Sequence, residues 1–224
     1  MEKDNFRYEK KIIVPFKKQH LIKNLVFLSP MRFKKQYKDR IVNSLYFDTD
    51  ELKFYKTNIE GLNIRKKIRI RWYGELNHRT NIYFEIKEKR GNLGSKKIFP
   101  IKNNNFLNKR LEICDLVKVA NQLRIENQSL LYLYKLRPKL KVSYLREYYI
   151  SATNNFRLTV DKKISYSKIN DKNYSIRKTH SLIDEIVIEL KYSSKLNLSI
   201  LNNFLNLPFR LSRNSKYVNG LKTF

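Results

Sequence analysis

One stretch of the chain, residues 63–73, alternates between basic and apolar side chains with a period of two. This period indicates a β-strand with two different faces, because successive side chains of a strand point to opposite sides. The basic side chains of one face are Arg65, Lys67, Arg69 and Arg71. Like charges about 7 Å apart repel one another unless an anion lies along them. The stretch therefore predicts a strand whose charged face binds a linear anion, either a chain of phosphates or a nucleic-acid backbone.

Further stretches share the period-two pattern and predict a sheet that makes up most of the chain. The predicted strands are 6–14, 42–47, 63–73, 82–89, 96–101, 139–150, 156–161 and 185–191. Helical spacing predicts helices over 17–28, 106–134 and 197–206. Many strands with few helical insertions are typical of an α+β fold with a largely antiparallel sheet. We expect residues 1–224 to form a single domain, an eight-stranded antiparallel β-barrel tunnel with a polar, basic lumen and helices packed outside.

The charge balance indicates an anionic partner, and the positions of the carboxylates distinguish between nucleic acid and a metal-bound phosphate. The chain has 48 Lys+Arg against 20 Asp+Glu, a formal net charge of +28. Predicted strands also place a glutamate and a lysine on one face, in the segments that begin at Glu9, Glu85 and Glu189. Carboxylates repel the phosphates of nucleic acid, whereas among Lys and Arg they suit a site where Mg²⁺ or Mn²⁺ bridges phosphoryl oxygens. Cross-strand ion pairs are the alternative interpretation. We expect a metal-dependent phosphate site rather than a nucleic-acid surface.

The scarcity of glycine and cysteine excludes several classes of site. Five glycines leave no Gly-x-Gly-x-x-Gly motif and no Walker P-loop, so side chains must bind any phosphate. The single cysteine, Cys114, excludes a disulfide framework and a multi-cysteine zinc site. The chain has no apolar run of about 18 residues and no apolar signal segment at its N-terminus. We expect a cytoplasmic protein without a membrane segment of its own, so that membrane export of a product would require a partner protein.

Eight short segments follow one another along the chain. They are FRYEKK (6–11), SLYFDTDELKFY (44–55), GLNIRKKIRIRWYG (61–74), FEIKEKRGNLGSKK (84–97), SYLREYY (143–149), RLTVDKKI (157–164), VIELKY (187–192) and SKYVNG (215–220). In this order they resemble the VTC domain, the polyphosphate polymerase domain of vacuolar transporter chaperone proteins and their bacterial relatives, within the triphosphate tunnel metalloenzymes. The resemblance implies an antiparallel β-tunnel that transfers the γ-phosphate of ATP to a growing polyphosphate chain with Mn²⁺ or Mg²⁺. The implied partners are ATP and polyphosphate.

The resemblance also implies site residues. The residues that match the family's basic tunnel positions, expected to act on the reacting phosphates, are Arg69, Arg71, Lys87, Arg146, Arg157 and Lys216. Lys11 and Lys97 match further basic positions, and the alternation of charge along the strands adds Arg65, Lys67, Lys89 and Lys191 as substrate-binding residues. Glu189 matches the family's metal-binding glutamate, and Glu85 or Glu9 is expected to assist it.

Two other functions remain open at this point. If water attacks in place of a phosphate acceptor, the same tunnel acts as a metal-dependent triphosphatase or polyphosphatase. A chain with this charge can also bind polyphosphate or nucleic acid without catalysis. The sequence does not separate these functions from the polymerase, because they share the phosphate-binding side chains.

Overall fold

The computed structural model of the chain describes residues 7–75, 81–91, 93–101, 133, 135–170, 176–182, 184–193 and 210–224. These residues form nine strands, short α-helices and a 3-10 helix at Phe16–Lys18. The strands are β1 (Arg7–Pro15), β2 (Lys34–Asp48), β3 (Ile64–Tyr73), β4 (Ile82–Arg90), β5 (Leu93–Ile101), β6 (Arg137–Ile150), β7 (Phe156–Ile169), β8 (Ile176–Leu182) and β9 (Glu185–Ser193). The helices are α1 (Gln19–Phe27), α2 (Lys53–Ile59) and α3 (Lys216–Lys222).

The predicted strands are all present, but β2 and β7 continue well beyond their predicted ends. The predicted helix over 17–28 is confirmed as α1. Strand β8 and helices α2 and α3 were not predicted. The predicted helices over 106–134 and 197–206 lie outside the described residues, apart from Leu133. What the structure describes is mostly β-sheet, so the α+β assignment overstates the share of helix in that part of the chain.

The strands form one sheet in the order β1-β9-β7-β6-β2-β3-β4-β5, and β8 pairs with β7. The pairings of β1 with β9, β9 with β7, β2 with β3, β3 with β4, and β4 with β5 are antiparallel. Within the described residues this sheet is not closed, since β1 and β5 end the order. The predicted closed, eight-stranded barrel is therefore wrong for these residues. Alternation along a strand defines its two faces, whereas closure depends on whether the outermost strands pair, which alternation does not encode.

The chain divides into two compact units, and strands β2, β6, β7 and β8 each have residues in both. The first unit contains residues 1–40, 144–164 and 181–214. In this unit α1 presents Ile22, Leu25 and Val26 to the apolar faces of β1, β7 and β9. The strand residues of this core include Ile12, Val14, Phe156, Leu158, Val160, Ile186, Ile188, Leu190 and Tyr192. Because these side chains are buried under α1, the alternate residues of the same strands face the other way.

The second unit contains residues 41–143, 165–180 and 215–224. Its strands β3, β4 and β5 pair in sequence order, and β3 also pairs with β2. Helix α2 follows β2 closely, and Asp48 at the end of β2 accepts hydrogen bonds from the backbone N–H groups of Thr49, Phe54 and Tyr55. The bonds from Phe54 and Tyr55 satisfy donors in the first turn of α2 that have no partner within the helix. Helix α2 contacts β3 and α3.

Candidate functional site

The register of β3 and β4 gathers charged side chains on one face of the second unit. The facing pairs are Arg65 with Lys89, Lys67 with Lys87, Arg69 with Glu85 and Arg71 with Tyr83. We call this side of β2–β5 the basic face. Lys66 lies on the other side, where its Nζ is 3.5 Å from Glu88 Oε2. The predicted placement of the basic residues of β3 on one face is confirmed.

Glu85 lies among the cations of the basic face and is only 4% exposed. Nε and Nη2 of Arg69 are each 2.6 Å from Glu85 Oε2, and Lys96 Nζ is 2.7 Å from Oε1. Arg71 Nη1 lies 3.9 Å from Oε1. Burial alone would raise the pKa of Glu85, but the charges of Arg69, Arg71 and Lys96 outweigh it and lower the pKa to about 2. Glu85 is therefore ionised and bound by cations at neutral pH.

Lys96 was missed by sequence reasoning, which favoured its neighbour Lys97. The two residues between Arg90 and Leu93 connect β4 to β5, and the resulting register places Lys96 opposite Lys87 and Lys97 opposite Ile86. Lys96 therefore reaches Glu85, whereas Lys97 is exposed on the other side of β5. Burial, together with Arg69 and Arg71, lowers the pKa of Lys96 to about 8, although Glu85 opposes the shift.

Tyr46 of β2 completes the surroundings of Arg69 on the basic face. It lies opposite Arg69 in the register, is buried, and its hydroxyl oxygen accepts a hydrogen bond from Arg69 Nη1 at 3.0 Å. Burial would raise the pKa of Tyr46, but Arg69, Arg71 and Lys216 lower it overall. One strand position further along the same face, Ser44 accepts a bond of 3.4 Å from Arg71 Nε.

Helix α3 contacts the basic face through its first turn. Tyr217 stacks on Tyr46 with ring centroids 5.1 Å apart, and its hydroxyl donates a short hydrogen bond to Asp48. Lys67 Nζ donates to the hydroxyl of Ser215, the N-cap residue of α3, at 2.8 Å. The predicted residue Lys216 is half-buried, and its charge acts on Tyr46. The structure therefore brings Lys67, Arg69, Arg71, Glu85 and Lys216 close to one another.

The remaining predicted residues of the second unit lie toward one end of β3 and β4. Arg65 Nη2 donates to the carbonyl oxygen of Gly91 at 3.4 Å. Lys87 is half-buried between Lys67 and Lys96 in the register, and Lys89 is exposed. These side chains extend the row of positive charge from Arg71 toward the β4–β5 turn.

A second charged cluster lies in the first unit, on the side of β1, β7 and β9 that faces away from α1. Lys191 Nζ is 2.5 Å from Glu189 Oε1, and Lys11 Nζ is 3.9 Å from Glu189 Oε2. Lys11 is also 2.8 Å from Glu9 Oε1 and donates to the carbonyl oxygen of Asn214 at 2.9 Å. Burial would raise the pKa of Glu189, but Lys191, Lys11 and Arg146 hold it well below its usual range. The alternation predicts that Glu9 shares a face with Lys11 and Glu189 with Lys191, and the register of β1 with β9 brings the two pairs together.

Arg146 of β6 is buried in the same unit and forms two hydrogen bonds with Asp161 of β7. The distances are 2.6 Å from Nε to Oδ1 and 2.7 Å from Nη2 to Oδ2. Asp161 is fully buried and was not among the predicted site residues. Arg157 lies opposite Lys191 on the same side of the sheet but is exposed.

The carboxylates differ in how well they suit a divalent metal ion. Mg²⁺ and Mn²⁺ bind through one or two carboxylates plus phosphate oxygens and water. Glu189 and Glu9 share Lys11, which shows that these two carboxylates approach the same cation. Both oxygens of Glu85 lie within 2.7 Å of a cation, whereas Glu189 has Oε1 2.5 Å from Lys191 and Oε2 3.9 Å from Lys11. Among the described residues, no three carboxylates, histidines or cysteines form a cluster that could hold a metal alone. A divalent metal at Glu189 and Glu9 would therefore need phosphate oxygens or water to complete its ligands.

Comparison with known proteins decides the family. Residues 6–224 match the VTC domain. The chain belongs to the VTC domain family. It is 35% identical over 82 residues to vacuolar transporter chaperone complex subunit 4 of Schizosaccharomyces pombe, a match that covers 35% of this chain and 11% of that protein. The VTC domain therefore accounts for nearly the whole chain, whereas the match to the yeast subunit spans a small part of that protein.

A solved structure supports the fold. A proposed adenylate cyclase from Vibrio parahaemolyticus superposes with a TM-score of 0.52 at 11% identity, covering 98% of this chain and 99% of that one. A proposed adenylate cyclase from Bacillus halodurans gives a TM-score of 0.47 at 17% identity, covering 89% and 86%. At such low identity the Vibrio parahaemolyticus structure shows a shared fold and nothing about activity. Within the described residues of the VTC domain, no helix has the length and apolar character needed to span a membrane.

Proposed function

We propose that this VTC domain is an ATP-dependent polyphosphate polymerase that transfers the γ-phosphate of ATP to a growing polyphosphate chain. The observation that supports the proposal is the basic face, where Arg69, Arg71 and Lys96 surround the carboxylate of Glu85. Lys67 and Lys87 extend the positive charge along the strands. A row of cations along one face of the strands offers positive charge along the length of a linear phosphate chain. Membership of the VTC domain family agrees with a phosphate substrate.

In this proposal the chain's own residues bind and orient phosphates rather than attack them. Arg69 and Arg71 offer planar guanidinium groups that can bind two phosphate oxygens at once, and Lys67, Lys87 and Lys96 neutralise the remaining charge. The terminal phosphate of the acceptor attacks the γ-phosphorus in line, and ADP leaves. Phosphoryl transfer of this kind depends mainly on positioning and charge neutralisation, so no protein nucleophile is needed. Mn²⁺ or Mg²⁺, held by Glu189 with Glu9, would neutralise phosphoryl oxygens.

The proposal is tested with ATP, Mn²⁺ and gel electrophoresis stained for polyphosphate. We expect a ladder of polymer from the wild-type protein. Glu189→Gln should lower the rate by at least about a hundredfold, because a metal ion contributes several kcal/mol to such a reaction, while binding of inorganic triphosphate persists. Glu185→Gln, a half-buried glutamate of the same strand, is the matched control and should leave the rate unchanged. Free phosphate without polymer would instead indicate a hydrolase, and polymer at the wild-type rate from Glu189→Gln would contradict the metal assignment.

A further inference from the structure

Tyr46 holds one side of the Arg69 guanidinium, and Glu85 holds the other. The Tyr46 hydroxyl accepts from Arg69 Nη1 at 3.0 Å, while Arg69 Nε and Nη2 bind the carboxylate of Glu85 at 2.6 Å. An arginine side chain has several rotatable bonds, and ordering it costs rotamer entropy. Because Tyr46 and Glu85 hold the guanidinium on both sides, this entropy is lost before a ligand binds, and the planar group is already oriented.

The ring of Tyr46 is itself fixed from two directions. The side chain is 6% exposed, and Tyr217 of α3 stacks against it with an interplanar angle of 24°. Tyr217 is anchored in turn by its hydroxyl, which donates to the fully buried carboxylate of Asp48. Asp48 also binds backbone N–H groups of α2, so this chain of contacts ends in secondary structure rather than in a mobile side chain. Tyr46 therefore presents its hydroxyl to Arg69 from a rigid support.

We infer that Tyr46 is a positioning residue for phosphate binding, which orients the Arg69 guanidinium on the basic face and is held in place by Tyr217 of helix α3. The inference rests on the proposed function, because it assigns Arg69 to a phosphate of the substrate. The inference adds Tyr46, an uncharged type of side chain that was not among the site residues expected from the sequence. It also gives α3 a function at the site, since its first turn supports the residue that orients Arg69.

The test is a double-mutant cycle on the affinity for inorganic triphosphate, measured by isothermal titration calorimetry. Tyr46→Phe keeps the ring that stacks on Tyr217 and removes only the hydroxyl. Arg69→Lys keeps the charge and removes the planar group. We expect Tyr46→Phe to weaken binding about tenfold in the wild-type background, the effect of one hydrogen bond to a charged group. In the Arg69→Lys background the same change should have an effect below about twofold. Tyr37→Phe, an exposed tyrosine of the same strand, is the control and should leave the affinity unchanged.

The outcomes separate the inference from the proposed function. An equal loss of affinity from Tyr46→Phe in both backgrounds would show that Tyr46 does not act through Arg69, and wild-type affinity of Tyr46→Phe would exclude the positioning role. Failure of the wild-type protein to bind triphosphate at all would overturn the proposed function, and the inference with it. If Tyr46→Phe does not fold, Tyr217→Ala replaces it in the cycle. Its loss of affinity should likewise depend on Arg69, and a loss that is the same in both backgrounds would contradict the inference.

Discussion

Arg146 and Asp161 form a bidentate ion pair that is buried within the first unit. Nε and Nη2 of Arg146 lie 2.6 Å and 2.7 Å from the two carboxylate oxygens of Asp161, and Asp161 is 0% exposed. Burial would lower the pKa of Arg146, but Asp161 chiefly raises it well above its usual value. The pair thus compensates two charges that neither residue could bury alone.

Removing the carboxylate charge of this pair should destabilise the protein strongly. Asp161→Asn leaves the guanidinium of Arg146 buried without its counter-ion, which costs about 3–5 kcal/mol. Asp39→Asn breaks the pair between Lys35 and Asp39, which is exposed to solvent and 2.6 Å long, and should cost no more than about 0.5 kcal/mol. Urea denaturation of both variants measures the difference. Similar small losses of stability from the two substitutions would show that other groups compensate the charge of Arg146.

The ionisation of Glu85 should make stability depend on acid pH. Its folded pKa of about 2 lies below the ordinary value of 4.5, so the carboxylate stabilises the folded state fully above pH 4.5 and loses this contribution as the pH falls toward 2. The shift corresponds to about 3 kcal/mol. We expect the free energy of unfolding of the wild-type protein to exceed that of Glu85→Gln at pH 6, and the excess to shrink by pH 3. A constant difference across this range would contradict the ion cluster.

Lys96 should take up protons when a phosphate ligand binds. Because its pKa is lowered to about 8, a substantial part of the population is neutral at pH 8, and a nearby phosphate would favour the charged form. Calorimetric titration with inorganic triphosphate at pH 8, in buffers of different ionisation enthalpy, measures the uptake. Lys96→Arg should take up fewer protons, because arginine stays charged at this pH. The ligand's own titration is common to both proteins, so equal uptake would exclude Lys96 as a phosphate ligand.

Helix α3 should be sensitive to any side chain at Gly220. A Cβ atom at this position would lie 2.6 Å from Leu140 Cδ2 and from Tyr166 Cδ1, both of which belong to buried residues. Gly220→Ala should therefore cost about 1–3 kcal/mol through overpacking, despite the better helix propensity of alanine. Lys222→Ala, an exposed change in the same helix, should be close to neutral. Thermal unfolding of both variants measures the loss of stability. A Gly220→Ala variant as stable as the wild type would show that α3 can shift to make room for the methyl group without destabilising the protein.

The basic face shows how far alternation alone predicts a site. The period of two in 63–73 was enough to place Arg69 and Arg71 together, and the same period in β9 placed Glu189 with Lys191. Lys96 and Lys97 follow each other in the sequence, so alternation does not show which of the two lies on the basic face. Which of them faces Glu85 depends on the register that the short β4–β5 turn imposes.

Contacts between segments far apart in sequence were also beyond prediction. Tyr46 lies among apolar residues of β2, and only its pairing opposite Arg69 identifies it as part of the site. Tyr217 becomes informative once α3 is seen against Tyr46 and Asp48. Asp161 resembles any charged residue of an alternating strand, and its burial beside Arg146 depends on the three-dimensional arrangement of β6 and β7. Such relationships are determined by packing and not by local pattern.

The fate of the γ-phosphate of ATP is the most direct test of the proposed polyphosphate polymerase activity. The protein is incubated with γ-labelled ATP and Mn²⁺, and the labelled products are separated by gel electrophoresis. We expect label in polyphosphate chains that grow with time, with one ADP formed for each phosphate added. Label that appears only as inorganic phosphate, or as pyrophosphate from a cyclase reaction, would contradict it.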